Sequence, residues 1–366
     1  AEGAVSLDLG TAAEVMDNGT PAPPPAAPAP TPGASPTPGL LAELAHPAQT
    51  DRAGARASSL RQLRRLRITD AEVMVEDARL GASWSAPRAD ITLERAPQGG
   101  VNGVVSAMLA FGPSRAALAA EISVLPDGSA TLRARLGPVQ AATLAQGLAP
   151  LAPLAALDAM LSVQAEAAME PDLTPGAWSM TVAAGPGSLA VAQGRVPLRD
   201  AALVVSGRGE APRQARLDTR LAAVNGDPRL IARADISRGP ENGAADAWHA
   251  RLSASLDRVN FADLPALWPE GTDHGARAWI LANIPAGLAH DGRITAEITA
   301  TDPARPEIRA FHAELAGTDL QVHWLRPVAP LDGVSATLVL DGLDTATIST
   351  ISGHTGALSV HDGVVR

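Results

Sequence analysis

From Arg67 to Arg366 the chain alternates apolar and polar residues in short runs broken by Gly, Pro, Asp and Asn. Successive side chains of a strand point to opposite sides, so Ala71, Val73 and Val75 share one face while Glu72, Met74 and Glu76 share the other. The same period returns far downstream. Trp248, Ala250, Leu252, Ala254 and Leu256 alternate with His249, Arg251, Ser253, Ser255 and Asp257, and Ile294, Ala296, Ile298 and Ala300 alternate with Arg293, Thr295, Glu297 and Thr299. A chain with this pattern is mostly β, with one apolar face that something must cover.

Composition narrows what the cover and the chemistry can be. Hydrophobic residues are 46% of the 366, yet aromatics are 2% and Tyr is absent, so the interior is Ala, Val, Leu and Ile, not the large rings that usually dominate cores. All 29 basic residues are Arg, a bias a GC-rich coding sequence explains. Without Lys there is no Schiff-base amine or P-loop lysine, and without Cys no thiol nucleophile, disulfide or thiolate metal site. A formal charge of −10 opposes a phosphate backbone, which excludes nucleic acid as the expected partner. The chain begins at Ala1 and stops at Val364-Val365-Arg366 in mid-pattern, as expected of a fragment whose anchor or signal lies elsewhere. The uncharged stretch Leu136 to Leu157 is broken by Pro138, Pro150 and Pro153 and makes a poor membrane span.

Four segments are expected: an amino-terminal strand segment over 1–19, a Pro/Ala-rich disordered insert over 20–39, a β-groove section with short helices over 40–260, and its helix-capped continuation over 261–366. The insert supplies few ladder donors and reads as a linker before it reads as a ligand for an SH3-like partner. SSLRQLRRLR at 58–67 spaces Leu60, Leu63 and Leu66 three apart among arginines, predicting a short basic amphipathic turn or helix packed by its leucines, with lipid headgroups as the alternative contact. Strands are predicted at about 68–77, 88–95, 101–111, 115–125 and 129–136, with Pro126-Asp127-Gly128 as a hairpin turn. A helix follows at 139–149. Further strands are predicted at about 160–169, 177–183, 187–193, 201–208, 214–224, 228–237 and 247–257, with turns at Asn225-Gly226-Asp227, Gly185-Pro186-Gly187 and Gly207-Arg208-Gly209.

LPALWPEGTDHGARAWILANIPAGLAHDG, from Leu264 to Gly292, interrupts the strands. Thr272 or Asp273 can cap a helix whose Ala276, Trp279, Ile280 and Ile284 share a face, stopped by Pro285 and Gly287, a lid anchored by Trp268, Trp279 and Ile280. LPALWP, ARAWILANIPAG and DGRITAEI, then DLQVHWLRPVAPLDGVSATLVLDG and GHTGALSVHDGVV, together with the upstream ITDAEVMVEDARLGASWSAPRADITLER, resemble the YhdP/AsmA/TamB group of bacterial envelope proteins over most of residues 60–366. The resemblance rests on order and spacing, since none of these motifs is catalytic, and the Pro-rich insert departs from the compact family pattern. It implies a periplasmic, inner-membrane-anchored protein whose antiparallel strands form a long, curved, U-shaped groove for phospholipid. The partners implied are phospholipid, the inner membrane through an anchor outside this fragment, and outer-membrane or periplasmic proteins. On that basis the candidate groove lining is Val73, Val75, Ile91, Leu93, Leu132, Leu252, Leu256, Ile294, Ile298, Leu338 and Leu340.

Neither a G-x-S-x-G elbow, an H-E-x-x-H helix, a P-loop nor a complete dinucleotide glycine pattern occurs, so no catalytic residue and no cofactor is expected. Asp319 with His323, and His354 with His361 and Asp362, lack recognised metal-ligand spacing and read as strand-end residues. The acidic cluster Asp70, Glu72, Glu76 and Asp77 reads as a solvated strand face. Lipid transfer is the leading function, a scaffold for envelope assembly the alternative, and an envelope glycan hydrolase, which needs two carboxylates about 5–9.5 Å apart, the third.

Overall fold

A computed structural model describes residues 64–366 apart from 78–81, 112–113, 148, 173, 192, 242–243, 271–275, 302–305, 343–344 and 366. The expected amino-terminal strand and Pro-rich insert lie outside the described residues. What is described is mostly β: sixteen strands of one antiparallel sheet, in which strand order is chain order. Contacts divide the chain into two compact units. The first runs to Val139 and takes in Thr143–Ala155 and Glu166–Thr174; the second comprises Gln140–Ala142, Ala156–Ala165 and Pro175–Arg366. The helical segment after 260 packs on strands both before and after it.

The first unit is a meander of β1 (Arg65–Asp77), β2 (Ala82–Arg95), β3 (Val101–Phe111), β4 (Ser114–Val124) and β5 (Ala130–Gln140). Residues 65–67, expected in a basic turn or helix, begin β1 instead. Leu66 and Ile68 alternate with Arg65 and Arg67, and pairing Leu66 with Leu93 and Ile68 with Ile91 stabilises the extended chain. The ladder continues on the same face through Leu93 opposite Gly103, Val105 opposite Ala120, and Ile122 opposite Leu132. The other face carries Arg67, Thr92, Glu94, Asn102, Glu121 and Arg133. Asp127 Oδ1 accepts from the Ser129 amide at 2.9 Å and its hydroxyl at 2.7 Å, closing the β4–β5 hairpin with Gly128 at φ 89°. Both bonds hold the Asp127 carboxyl below its ordinary range, side-chain bond first.

A short helix, α1 (Ala141–Gly147), and a 3-10 segment (Ala149–Ala156) lead to β6 (Leu157–Met169). The second unit continues with β7 (Pro175–Val191), β8 (Gly194–Arg208), β9 (Ala211–Leu221), β10 (Arg229–Glu241) and β11 (Ala244–Asn260). After a helical insert come β12 (Ala286–Ala300), β13 (Glu307–Val322), β14 (Leu331–Asp341), β15 (Thr345–Thr355) and β16 (Leu358–Val365). Gly185-Pro186-Gly187, expected as a turn, lies inside the single strand β7. A Cβ at Gly187 would stand 2.0 Å from the Asp158 carbonyl oxygen, so glycine is there for close backbone approach. Gly209 does turn, at φ 63°, and its carbonyl accepts from Trp178 Nε1 at 2.9 Å.

Three register shifts share one device. Asp70 (φ 55°), Asp291 (φ 55°) and Asp319 (φ 51°) adopt left-handed conformations inside β1, β12 and β13, each where the pairing slips by one residue. Aspartate tolerates this region better than β-branched residues do, and a bulge bends the strand and increases its twist. At Asp70 the bulge is held from both sides: its amide donates to Asp90 Oδ1 at 3.0 Å, and Arg88 Nε donates to its carboxylate at 2.9 Å.

Candidate functional site

The apolar face of the second unit is built pair by pair. Leu230 stands opposite Leu256, Ala254 opposite Ile294, Leu252 opposite Ala296 and Ala250 opposite Ile298; Ala313 lies between Ile294 and Leu340, and Leu315 faces Leu338. Directly paired residues of an antiparallel ladder point to the same side, so five strands present one aliphatic surface. Where Leu230, Leu256, Ile294, Leu315, Leu338 and Leu340 converge they line a cavity of about 180 Å³. Gly292 lies on its floor, where a Cβ would stand 3.0 Å from Leu256 Cβ and 3.3 Å from Leu315 Cδ1. These aliphatics are not sealed: Leu252, Leu256, Ile298, Leu338 and Leu340 are half-buried and Ile294 is 37% exposed.

One end of the same face is closed by the chain itself. A 3-10 turn (Phe261–Asp263), α2 (Leu264–Leu267) and α3 (Ala276–Asn283) form the helical insert. Leu264, Leu267, Ile280 and Ile284 pack onto a buried cluster of Val259, Phe261, Ala289, Leu320 and Val334, which Leu256 and Leu315 also touch. Asp263, 5% exposed, accepts from the Asn225 amide at 3.1 Å and its side-chain nitrogen at 2.9 Å, tying the insert to the β9–β10 loop.

The opposite face is charged and wet. Arg229 reaches Asp218 at 2.6 Å, Arg251 reaches Glu297 at 3.4 Å, Arg220 grips Asp200, and His312 Nδ1 lies 2.6 Å from Asp341. The hydrogen bond from Arg229 holds the Asp218 carboxyl below its ordinary range, and those to Asp341 and then Glu314 raise the His312 imidazole above its own. These pairs cross neighbouring strands at directly opposed or adjacent positions, which fixes register without burying charge.

Of the sequence-predicted lining, Val73, Ile91, Leu93 and Leu132 fall on the apolar face of the first unit, with Val73 8% exposed. Val75 stands opposite Trp84 in the register, and its side chain lies outside the described residues. Leu252, Leu256, Ile294, Ile298, Leu338 and Leu340 fall on the apolar face of the second unit. Ile280 docks on the buried cluster and Trp268 is half-buried, its carbonyl accepting from Arg277 Nε. Trp279 is not an anchor. At 48% exposure it points away, because Ile280 of α3 and Ile284 just beyond it pack on the buried cluster and leave Ala278 and Trp279 exposed. Leu230, Ala313 and Leu315 were missed, although the alternations Leu230-Ala232-Ala234 and Phe311-Ala313-Leu315 carry the signal.

Among the described residues no group of three or more His, Asp or Glu could hold a metal ion, and no helix is long and apolar enough to cross a membrane. The chain is thus defined by a two-faced antiparallel meander with a partly uncovered aliphatic side. No family model, curated protein or solved structure matches it.

Proposed function

We propose that the chain is a non-enzymatic section of a lipid-transfer conduit. Its sheet curves into a groove that shields phospholipid acyl chains in the periplasm, between the inner membrane and the outer membrane. The single observation that carries the reading is the aliphatic surface of β10–β14, half-exposed and almost without polar atoms at its cavity. About 180 Å³ is below the roughly 300–1,000 Å³ of small-molecule pockets, so an acyl chain would lie along the face, not be swallowed by it. Covering about eight methylenes contributes about 6 kcal/mol. Because neighbouring Leu, Ile and Ala positions offer similar contacts, the chain can slide. The location and the membrane partners rest on the resemblance to envelope proteins.

The test is lipid content. Purified protein should carry phospholipid detectable by native mass spectrometry and solvent extraction, and Ile294→Glu with Leu340→Glu should lower that occupancy at least tenfold while circular dichroism stays unchanged. Lipid-free protein over several preparations, or equal occupancy in the folded variant, sinks the proposal. The second reading, a periplasmic scaffold for envelope assembly, draws on the same uncovered face and would be favoured by a polypeptide, not a lipid, protecting Ile294.

A further inference from the structure

The loop joining β13 to β14, HWLRPVAP over 323–330, exposes three large apolar side chains: Trp324 at 54%, Leu325 at 52% and Val328 at 43%. It is stitched to the C-terminal end of α3. The His323 amide donates to the Asn283 carbonyl at 2.8 Å, and Arg326 Nη2 donates to the Ala282 carbonyl at 3.0 Å. On α3 itself Trp279 is turned outward, and its carbonyl accepts from Asn283 Nδ2 at 2.9 Å. Two exposed tryptophans thus sit on segments held together by one backbone hydrogen bond and one from the Arg326 side chain, outside both the aliphatic face and the buried cluster.

Charge distinguishes this surface from the rest of the molecule. The chain carries 39 acidic against 29 basic residues, yet neither ARAWILAN of α3 nor HWLRPVAP contains a carboxylate. Arg277 is turned inward onto the Trp268 carbonyl, which leaves the exposed Arg326 as the cation of this surface. A cluster of exposed Trp, Leu and Val on a polar protein marks an interaction site. Exposed tryptophan with an exposed arginine matches the boundary between acyl chains and anionic headgroups, where indole rings sit at the interface and guanidinium groups meet phosphate.

We infer that α3 and the β13–β14 loop form a docking surface for an anionic phospholipid bilayer, with Trp279, Trp324, Leu325 and Val328 entering the interface and Arg326 at the headgroups. Docking of this end is independent of whether the aliphatic face takes up acyl chains.

The full chain is mixed with vesicles of phosphatidylcholine alone or with about one-third phosphatidylglycerol, and binding is read by cosedimentation and by quenching of tryptophan emission with brominated acyl chains. Binding to the anionic vesicles with quenching is expected. Trp324→Ser with Leu325→Ser should weaken it at least tenfold, and Arg326→Gln several-fold on anionic vesicles only. Ile294→Glu, which tests the aliphatic face, should leave docking unchanged, so failure of either proposal is distinguishable from failure of the other. No cosedimentation of the wild-type chain, no quenching, or full binding by the Trp324/Leu325 variant overturns the inference. So does self-association that the same variant abolishes, since that assigns the patch to a second copy.

Discussion

Two stretches of one face behave differently. Near the helical insert, Val259, Phe261, Ala289, Leu320 and Val334 are buried beneath Leu264, Leu267, Ile280 and Ile284. A few residues along the same strands, Leu256, Ile294 and Leu340, with the same chemistry and the same alternation, remain half-open around a cavity. The sheet is alike in both places, so the difference lies in the cover. This protein fills its aliphatic face wherever it supplies a helix, and the unfilled remainder is a surface where a guest, in place of protein atoms, can remove apolar area from water.

The sharpest way to break this comparison is truncation on either side of it. Phe261→Ala should cost about 3–5 kcal/mol in urea denaturation because it empties a filled site, whereas Ile294→Ala in lipid-free protein should cost under about 1 kcal/mol because no packed neighbour is lost. Equal costs would mean that the open stretch is in fact filled.

Asp291 sits at the boundary, between buried Ala289 and the cavity residues Gly292 and Ile294, and its bulge re-aims the strand there. Both Asp291→Gly and Asp291→Val lose its 2.8 Å contact with His290, so their difference isolates the backbone. Valine should be less stable than glycine by about 1–2 kcal/mol, measured by the same unfolding curves. A valine variant as stable as the glycine one would remove the bulge as the device that separates the two stretches.

The smallest effect is expected behind the open stretch, on the charged face. Asp341, and secondarily Glu314, raise the His312 pKa above its ordinary 6.5. Stability from this pairing is therefore fully present below about pH 6.5 and is lost as pH rises through the folded value. Titration of His312 followed by NMR should fall back towards 6.5 in Asp341→Asn. An unchanged titration would show that the two faces are not separated as their ladders indicate.

Much of this was legible from residue order. Leu252, Ile294 and Ile298 were assignable to one face because period two is a local property of the strand, and the Pro126-Asp127-Gly128 hairpin because its aspartate and glycine act within a few residues. Residues 65–67 misled, since Leu66 shares its three-residue spacing with Leu60 and Leu63, which lie outside the described residues, and only the partner residues Leu93 and Ile91 reveal the strand. Gly185-Pro186-Gly187 misled in the opposite sense, because the carbonyl that requires glycine belongs to Asp158, distant in sequence. Trp279 was placed on the wrong side of its helix because Ile280 and Trp279 are both apolar neighbours, and only the position of the buried cluster decides between them.

The sequence by itself determined that the chain would be two-faced β-structure with an aliphatic side and a charged side, because alternation along a strand needs no knowledge of its neighbours. Tertiary structure alone decided how much of that aliphatic side is covered, because cover comes from α2, α3 and strands far away in the chain. Ile294 is left 37% exposed and Val334 buried at 3% by what those distant elements reach, not by anything in their own flanking residues.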